Sequence, residues 1–377
     1  MNEIKFLHCA DLHLGASCSY LGAKAKKRRM ETLLTFEKII DTAQENRVDF
    51  LLIAGDLLDS NTVEAAWIDR VFDGFRQIPE IEIIYAAGNH DPLDATSPFR
   101  TKLLPDNVHI LGTADTVLHF PRLHTDIYGR SFGECYLTGE ERFSLPTDLN
   151  AVSLMVQHGD FPGSSAGNYN PITPDFIKTS GMDYIALGHI HQRTDLQQLG
   201  GTAFSYCGCP EGQGFDESGE KGVYLGTVAK GNCSLQFIPL AKRRHERMTV
   251  DISPYETTAE TATAILQAAE SLYGEDYAEN LYRITLTGAL AENQDLSMTE
   301  LSARLNDILY FAKVKNRTTV QADLAVLANE PSLKGIFVRK MLSALSQASE
   351  TDRPTVEAAL QLGLRAFRGE VDDFDTE

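Results

Sequence analysis

Residues 186–193 of this 377-residue chain read Ala-Leu-Gly-His-Ile-His-Gln-Arg, which puts His189 and His191 two positions apart behind the apolar run Tyr184–Leu187. In a strand, residues two apart share a face, so both imidazoles point into one space. Two histidines are half of a metal site, and four other apolar runs end in residues that can supply the rest. Phe6–Ala10 runs into Asp11-Leu-His13, and Phe50–Ala54 into Gly55-Asp56-Leu-Leu-Asp59. Ile81–Ala87 runs into Gly88-Asn89-His90-Asp91, and Leu154–Gln157 into His158-Gly159-Asp160. Asp, Asn and His without thiolates give mixed oxygen and nitrogen coordination, suited to manganese, iron or zinc.

These residues need elements to position them. Over the first 240 residues short apolar runs alternate with helical patterns, as in α/β proteins. Open α/β sheets place their ligand sites at the C-terminal ends of strands, where all five segments fall. The expected strands are Ile4–Ala10, Phe50–Ala54, Ile81–Ala87, Ala151–Gln157 and Tyr184–Leu187, with helices over Met30–Gln44 and Val63–Gln77. Trp67 shares helical spacing with Val63, Val71 and Phe75, which reads as core first and as a dimer surface second. Past residue 200 the pattern turns β-rich, and a basic run at 242–247 marks a boundary. Beyond it come a β-α-β-α-β pattern over 248–320 and a helical stretch from Ser332 that ends acidic, Glu370 to Glu377. The expected division is therefore 1–241, a small α/β domain at 248–320, and a helical tail at 332–377.

A hydrophobic content of 43% with 23% charged residues is ordinary globular composition. The net charge of −19 argues against a generally basic nucleic-acid binder, leaving only the local runs Lys24–Arg29 and Lys242–Arg247. No apolar run approaches the ~18 residues of a membrane span. The N-terminus enters a strand pattern without a signal peptide, so a cytoplasmic chain with six free thiols is expected. Cys207 and Cys209 are too few for a structural zinc site. His8, His109, His119, His124 and His245 have no comparable context.

In this order the five segments resemble the calcineurin-like metallophosphoesterases. That signature is Asp-x-His, Gly-Asp-x-x-Asp, Gly-Asn-His-Asp/Glu, a later His, and Gly-His-x-His. The resemblance implies two facing mixed β-sheets flanked by helices, with two divalent metal ions at the strand ends. It implies Asp11, His13 and His191 on one ion, Asn89, His158 and His189 on the other, and Asp56 bridging both. Such ions, about 3.5–4 Å apart, hold phosphate oxygens and a shared hydroxide that attacks the phosphodiester. His90 is implied to face the leaving-group oxygen, with Asp59 as its orienting partner. The plain alternative for Asp59 is a cap on the following helix. Some double-strand-break nucleases carry histidine at that position, and this chain departs from them. Asp91 and Asp160 read as turn residues or as residues behind the ligands.

Longer stretches narrow the resemblance. FLHCADLHLG, VDFLLIAGDLLD, DYIALGHIHQ and FSYCGCPEGQGFDESGEKGVYLG are similar to the SbcD/YhaO type of DNA repair exonuclease. The last contains Tyr206-Cys-Gly208 and Glu217-Ser-Gly-Glu-Lys221-Gly222. This implies DNA as substrate, manganese as the favoured metal, and an SMC-like coiled-coil ATPase docking on the tail or linker. It also implies a homodimer through Val63–Gln77 and Pro92–Leu104. Lys24–Arg29, which starts eleven residues past His13, is then a candidate phosphate contact. Two other classes stay open: a small-molecule phosphoesterase acting on cyclic nucleotides or other diesters, and a non-catalytic partner-binding subunit. The extra C-terminal domain weighs against the first, and the complete ligand set against the second. In the tail, Leu333, Ile336, Phe337, Met341 and Leu345 recur at helical steps, followed by Ala358, Leu362 and Phe367. Such a stripe either packs on its own domain or docks into a partner's groove.

Overall fold

Where the apolar runs stand, strands form. In chain order the first elements are β1 (Ile4–Cys9), α1 (Ala25–Asn46), β2 (Phe50–Ile53), α2 (Ala65–Gln77), β3 (Glu82–Tyr85), α3 (Pro98–Thr101) and β4 (Val108–Ile110). Then follow β5 (Thr116–Phe120), β6 (Thr125–Gly129), β7 (Val152–His158), α4 (Pro174–Thr179), β8 (Tyr184–Gly188), β9 (Gln197–Leu199) and β10 (Thr202–Tyr206). β11 (Gly222–Ala229) and β12 (Asn232–Pro239) complete the first unit. One six-stranded sheet has the order β12-β11-β1-β2-β3-β4, the other β5-β6-β7-β8-β10-β9, and both are mixed.

β1, β2, β3, β7 and β8 read as unbroken apolar runs because each is covered on both faces. Phe6, Phe50, Leu52 and Ile84 of one sheet meet Ile127, Leu154, Val156 and Ala186 of the other in a single core. The alternate residues Leu7, Leu51, Ile53 and Ile83 point outward onto Phe36, Ile40, Trp67, Val71 and Phe75 of α1 and α2. On the far side, Met155, Ile185 and Phe204 pack with Ile172, Ile177 and Met182. The result is the αββα sandwich, and Trp67 is core.

One expectation fails at α1. The helix begins at Ala25, five residues ahead of Met30, so the basic run forms its first turns. Lys and Arg are good helix formers, and Arg28 is drawn inside by two acids. Its guanidinium, 1% exposed, lies 2.6 Å from Glu211 Oε2 and 3.4 Å from Glu31. Arg243 also closes on Glu31, at 2.8 Å. Arg29 pairs with Glu64 and lies 5.3 Å over the Trp67 ring. Of the run proposed for phosphate contact, Lys26 and Lys27 stay exposed, whereas Arg28 is internal.

The computed structural model describes residues 3–138, 143–163, 167–290 and 296–367, and the chain divides into two units, Met1–Arg244 and His245–Glu377. In the second, the parallel strands β13 (His245–Asp251), β14 (Leu281–Thr287) and β16 (Phe311–Asn316) form a three-stranded sheet under α5 (Thr258–Tyr273) and α6 (Met298–Ile308). A small pair joins β15 (Ala289–Leu290) to β17 (Thr319–Val320). The helices α7 (Leu324–Asn329), α8 (Leu333–Gln347) and α9 (Arg353–Phe367) share a core of Val320, Leu327, Val338, Leu360 and Leu364. The stretch 332–367 thus falls in the same unit as 248–320. In α9 the buried stripe is Leu360 and Leu364, whereas Leu362 and Phe367, expected in it, are 38% and 41% exposed. The acidic end, Glu370 to Glu377, lies outside the described residues. No helix among the described residues is long and apolar enough to cross a membrane.

Candidate metal centre

β1, β2 and β3 run parallel, so their C-terminal ends lie side by side and deliver Asp11, Asp56 and Asn89 to one edge of the sandwich. β7 and β8 of the facing sheet, also parallel, bring His158, His189 and His191 to the same edge. The backbone is strained to do this. Asp11, His13, Asp56 and His189 all have positive φ, at 54°, 45°, 50° and 101°. Non-glycine residues in that region cost about 1–3 kcal/mol each and persist only where the surroundings hold them. Here Asp11 N–H donates to Gly55 O and His13 N–H to Asp56 O, each at 3.0 Å, locking the first two loops together. Gly55, at φ 91°, has no room for a side chain, because a Cβ would stand 2.3 Å from His158 Nδ1. At Gly88 a Cβ would stand 2.1 Å from Asp56 Oδ1.

Seven side chains converge here. His158 Nε2 lies 2.9 Å from Asn89 Oδ1, and His189 Nδ1 lies 3.2 Å from the same oxygen and 3.3 Å from His158 Nε2. On the other side, His13 Nε2 faces His191 Nε2 at 3.2 Å, and Asp11 completes that group. Asp56 Oδ2 stands between the two, 3.4 Å from His158 Nε2 and 3.7 Å from His13 Nε2.

The hydrogen bonds behind the rings show what this space demands. His158 Nδ1 donates to Ala54 O at 2.9 Å, His191 Nδ1 to Glu217 Oε1 at 2.5 Å, and His189 Nε2 lies 3.2 Å from Asp160. With those nitrogens protonated, the opposite nitrogens direct lone pairs at one another and at carboxylate and amide oxygens. Lone pairs facing lone pairs need positive charge between them, and a back-bonded imidazole is how proteins present nitrogen to a metal. The donor set therefore fits two divalent cations.

Titration reflects the same demand. Burial disfavours the His158 imidazolium, but Asp56 outweighs it and holds the ring up at about 9. For His13, burial is outweighed by Asp59 and Asp56, and for His191 by Glu217, so both are also raised. Burial would raise Asp56, yet the charge on His158 and His13 holds it well below the usual carboxylate range. His189 is lowered by burial and by the neighbouring His158 charge.

His90 is exposed, its ring edge-on to His13 at 4.6 Å, and its N–H donates to Asp56 Oδ1 at 2.9 Å. The expected contact with the Asp59 carboxylate is placed differently. His90 Nδ1 meets the Asp59 main-chain carbonyl at 3.2 Å, while the carboxylate lies 3.6 Å from His13 Nδ1. The reason is local: Asp59 N–H is bound to Leu14 O, next to His13, and this turns the side chain toward His13.

Sequence reasoning left Asp91 without a specific task. It is fully buried and accepts the N–H groups of Asp56, Leu58 and Gly88 at 3.2, 2.9 and 2.8 Å, tying the second loop to the third. Burial, then the Asp56 charge, raises its pKa. Its signal was its place as the last residue of the Gly88-Asn89-His90-Asp91 segment. Tyr169, whose ring lies 5.0 Å from that of His189, carried no signal. Cys207 and Cys209 are buried, which pushes both thiols far up. His8 is a satisfied core residue, bonded to Tyr184 Oη and Leu187 O and lowered by burial to about 3.

Residues 4–193 match the family model of the calcineurin-like phosphoesterases. The chain is 32% identical over 290 residues to the uncharacterized metallophosphoesterase YhaO of Bacillus subtilis, covering 73% of this chain and 69% of that protein. It is 25% identical over 276 residues to the SbcD component of the nuclease SbcCD from Escherichia coli K12, covering 60% of this chain and 66% of the relative. Against the DNA double-strand break repair protein Mre11 of Methanopyrus kandleri it is 25% identical over 227 residues, covering 55% and 49%. The matched span includes every strand end that carries the converging side chains, and the chain belongs to the calcineurin-like phosphoesterase family.

Proposed function

We propose that this chain is a two-metal phosphodiesterase that cleaves DNA, as an exonuclease or endonuclease subunit in DNA repair. The observation that carries the reading is Asp56 Oδ2, one carboxylate oxygen within 3.4 and 3.7 Å of imidazole nitrogens from two separate groups of donors. Asp11, His13 and His191 would hold one ion, Asn89, His158 and His189 the other, and Asp56 both. When bound, two divalent cations, manganese foremost and iron or zinc as alternatives, supply Lewis acidity at the phosphoryl oxygen and acidify water.

The chain's own residues do the rest. Asp56 and Asp91 fix the spacing of the loops, by accepting the main-chain N–H groups of His90 and of Asp56, Leu58 and Gly88. His90 stands at the solvent edge with Nδ1 committed to the Asp59 carbonyl, so proton transfer to a leaving oxygen falls to Nε2. Its exposure lets solvent return that proton after each turnover.

DNA is favoured by the likeness to proteins named for nuclease activity and double-strand break repair. A chain of net charge −19 must grip a phosphate backbone through local cations such as Lys26 and Lys27, so binding should weaken steeply with salt. The proposal includes a cytoplasmic setting, an SMC-like coiled-coil ATPase partner, and a homodimer through Val63–Gln77 and Pro92–Leu104, where Leu103 is 90% exposed.

The test is a manganese-supplemented assay comparing linear DNA with a chromogenic phosphodiester, run on the native chain and His90→Ala. DNA cleavage is expected, with a loss of roughly 10²–10⁴ in His90→Ala at unchanged metal content. Cleavage of the chromogenic ester alone would move the assignment to a small-molecule phosphoesterase. Cleavage of neither would leave a binding subunit.

A further inference from the structure

Each of the four histidines at the centre must be held from behind, and the four holds differ. His158 is held by the main-chain carbonyl of Ala54. His189 leans on Asp160 and His13 on Asp59, carboxylates that are 36% and 37% exposed. His191 is held by a largely buried carboxylate in direct hydrogen-bond contact: Glu217, 11% exposed, accepts from Nδ1 at 2.5 Å. Glu217 is itself fixed through its second oxygen, which accepts the Gln213 N–H at 2.6 Å and lies 3.5 Å from Cys209 Sγ. The main chain of His191 is gripped as well. Its carbonyl accepts from Lys221 Nζ at 2.9 Å and from Cys209 N–H at 3.2 Å. Ring and backbone of one residue are thus held by the single segment 207–222.

A largely buried carboxylate on a histidine N–H costs some desolvation, which a surface partner would avoid. What it supplies is a fixed tautomer, a fixed ring plane and a more basic opposite nitrogen. We propose that Glu217 is a positioning residue that controls one of the two cation positions, the one formed by Asp11, His13 and His191, and that Cys209, Gln213 and Lys221 hold it and His191 in register. This rests on the two-cation reading of the centre. It gives a task to the Glu-Ser-Gly-Glu-Lys-Gly stretch, and it makes the two positions unequal. The second position draws on Ala54 O, a main-chain anchor that substitution of the Ala54 side chain does not delete.

The experiment is calorimetric titration of the metal-free full chain with manganese, together with the Mn(II) electron paramagnetic resonance spectrum, on native protein, Glu217→Gln and Glu217→Ala. Glu217→Gln keeps the shape and an acceptor oxygen, so it reports even if Glu217→Ala fails to fold. Native protein is expected to take up two ions with the spectrum of a coupled pair. In the variants one ion should bind as before and the other on the order of 10- to 100-fold more weakly, leaving the spectrum of an isolated ion at limiting metal. Two ions bound at native affinity in Glu217→Gln, or both weakened alike, would overturn the assignment alone. Native protein that takes up fewer than two ions would overturn the two-cation reading and this assignment with it.

Discussion

At the scale of single residues, the centre is a balance between imidazole nitrogens and carboxylate oxygens, and protons occupy it where cations are absent. His158, held up at about 9 by Asp56, carries a proton across neutral pH. Its folded value is raised, so the stabilisation from the His158–Asp56 pair is complete below the ordinary imidazole value of 6.5 and fades as pH rises through about 9. A cation held by His158, as proposed above, needs the neutral ring, so metal uptake would expel that proton. Apparent manganese affinity should therefore climb with pH toward about 9, by about tenfold per unit for each proton released. Calorimetry at pH 7.5 in buffers of different ionisation enthalpy counts those protons, and at least one per chain is expected. A count of zero would contradict the charge state assigned to His158.

At the scale of elements, strand ends and tight loops set the geometry, and glycine makes the crossings possible. Gly55→Ala would add left-handed strain, roughly 1–3 kcal/mol, and also drive a methyl into His158. Gly231→Ala shares the positive φ, at 74°, but meets nothing within 4 Å. Denaturant unfolding should show the larger loss in Gly55→Ala, and that variant alone should lose metal. Equal losses would mean the contact with His158 is immaterial. Strands and their terminal motifs were legible in the sequence because local patterns state them: a run buried on both faces, then Gly, Asp, Asn or His. What escaped depends on partners distant in the chain. Arg28 looked like a surface cation because nothing near it reveals Glu211 across the fold. The Asp59 carboxylate was expected on His90, yet one backbone bond to Leu14 turns it elsewhere. In α9 the expected stripe ran through Ala358, Leu362 and Phe367, whereas the core against α7 and α8 takes Leu360 and Leu364.

At the scale of the whole chain, α8 and α9 complete the core of the second unit, so deleting 332–377 should uncover Val320 and Leu327. Each such side chain is worth about 1.5–3 kcal/mol buried, and differential scanning calorimetry should show a lower melting temperature. An unchanged melting temperature would mean that this packing contributes little. Loss of a partner in that deletion would report unfolding as much as docking, so Leu333→Glu and Ile336→Glu, at positions 72% and 46% exposed, are the cleaner probe of the surface. The placement of the donors has a wider consequence. Asp11, His13, Asp56 and Asn89 belong to one sheet of the first unit, and His158, His189 and His191 to the other. Bound there, the ions would act as a rivet through both leaves, fastening points up to 180 residues apart in the chain. A rivet that fits only the folded leaves adds about 2.7 kcal/mol per ion when free metal stands a hundredfold above its Kd. The same ions that would open a phosphodiester would then hold the two leaves shut, and a chelator would loosen the seam as it stops the reaction.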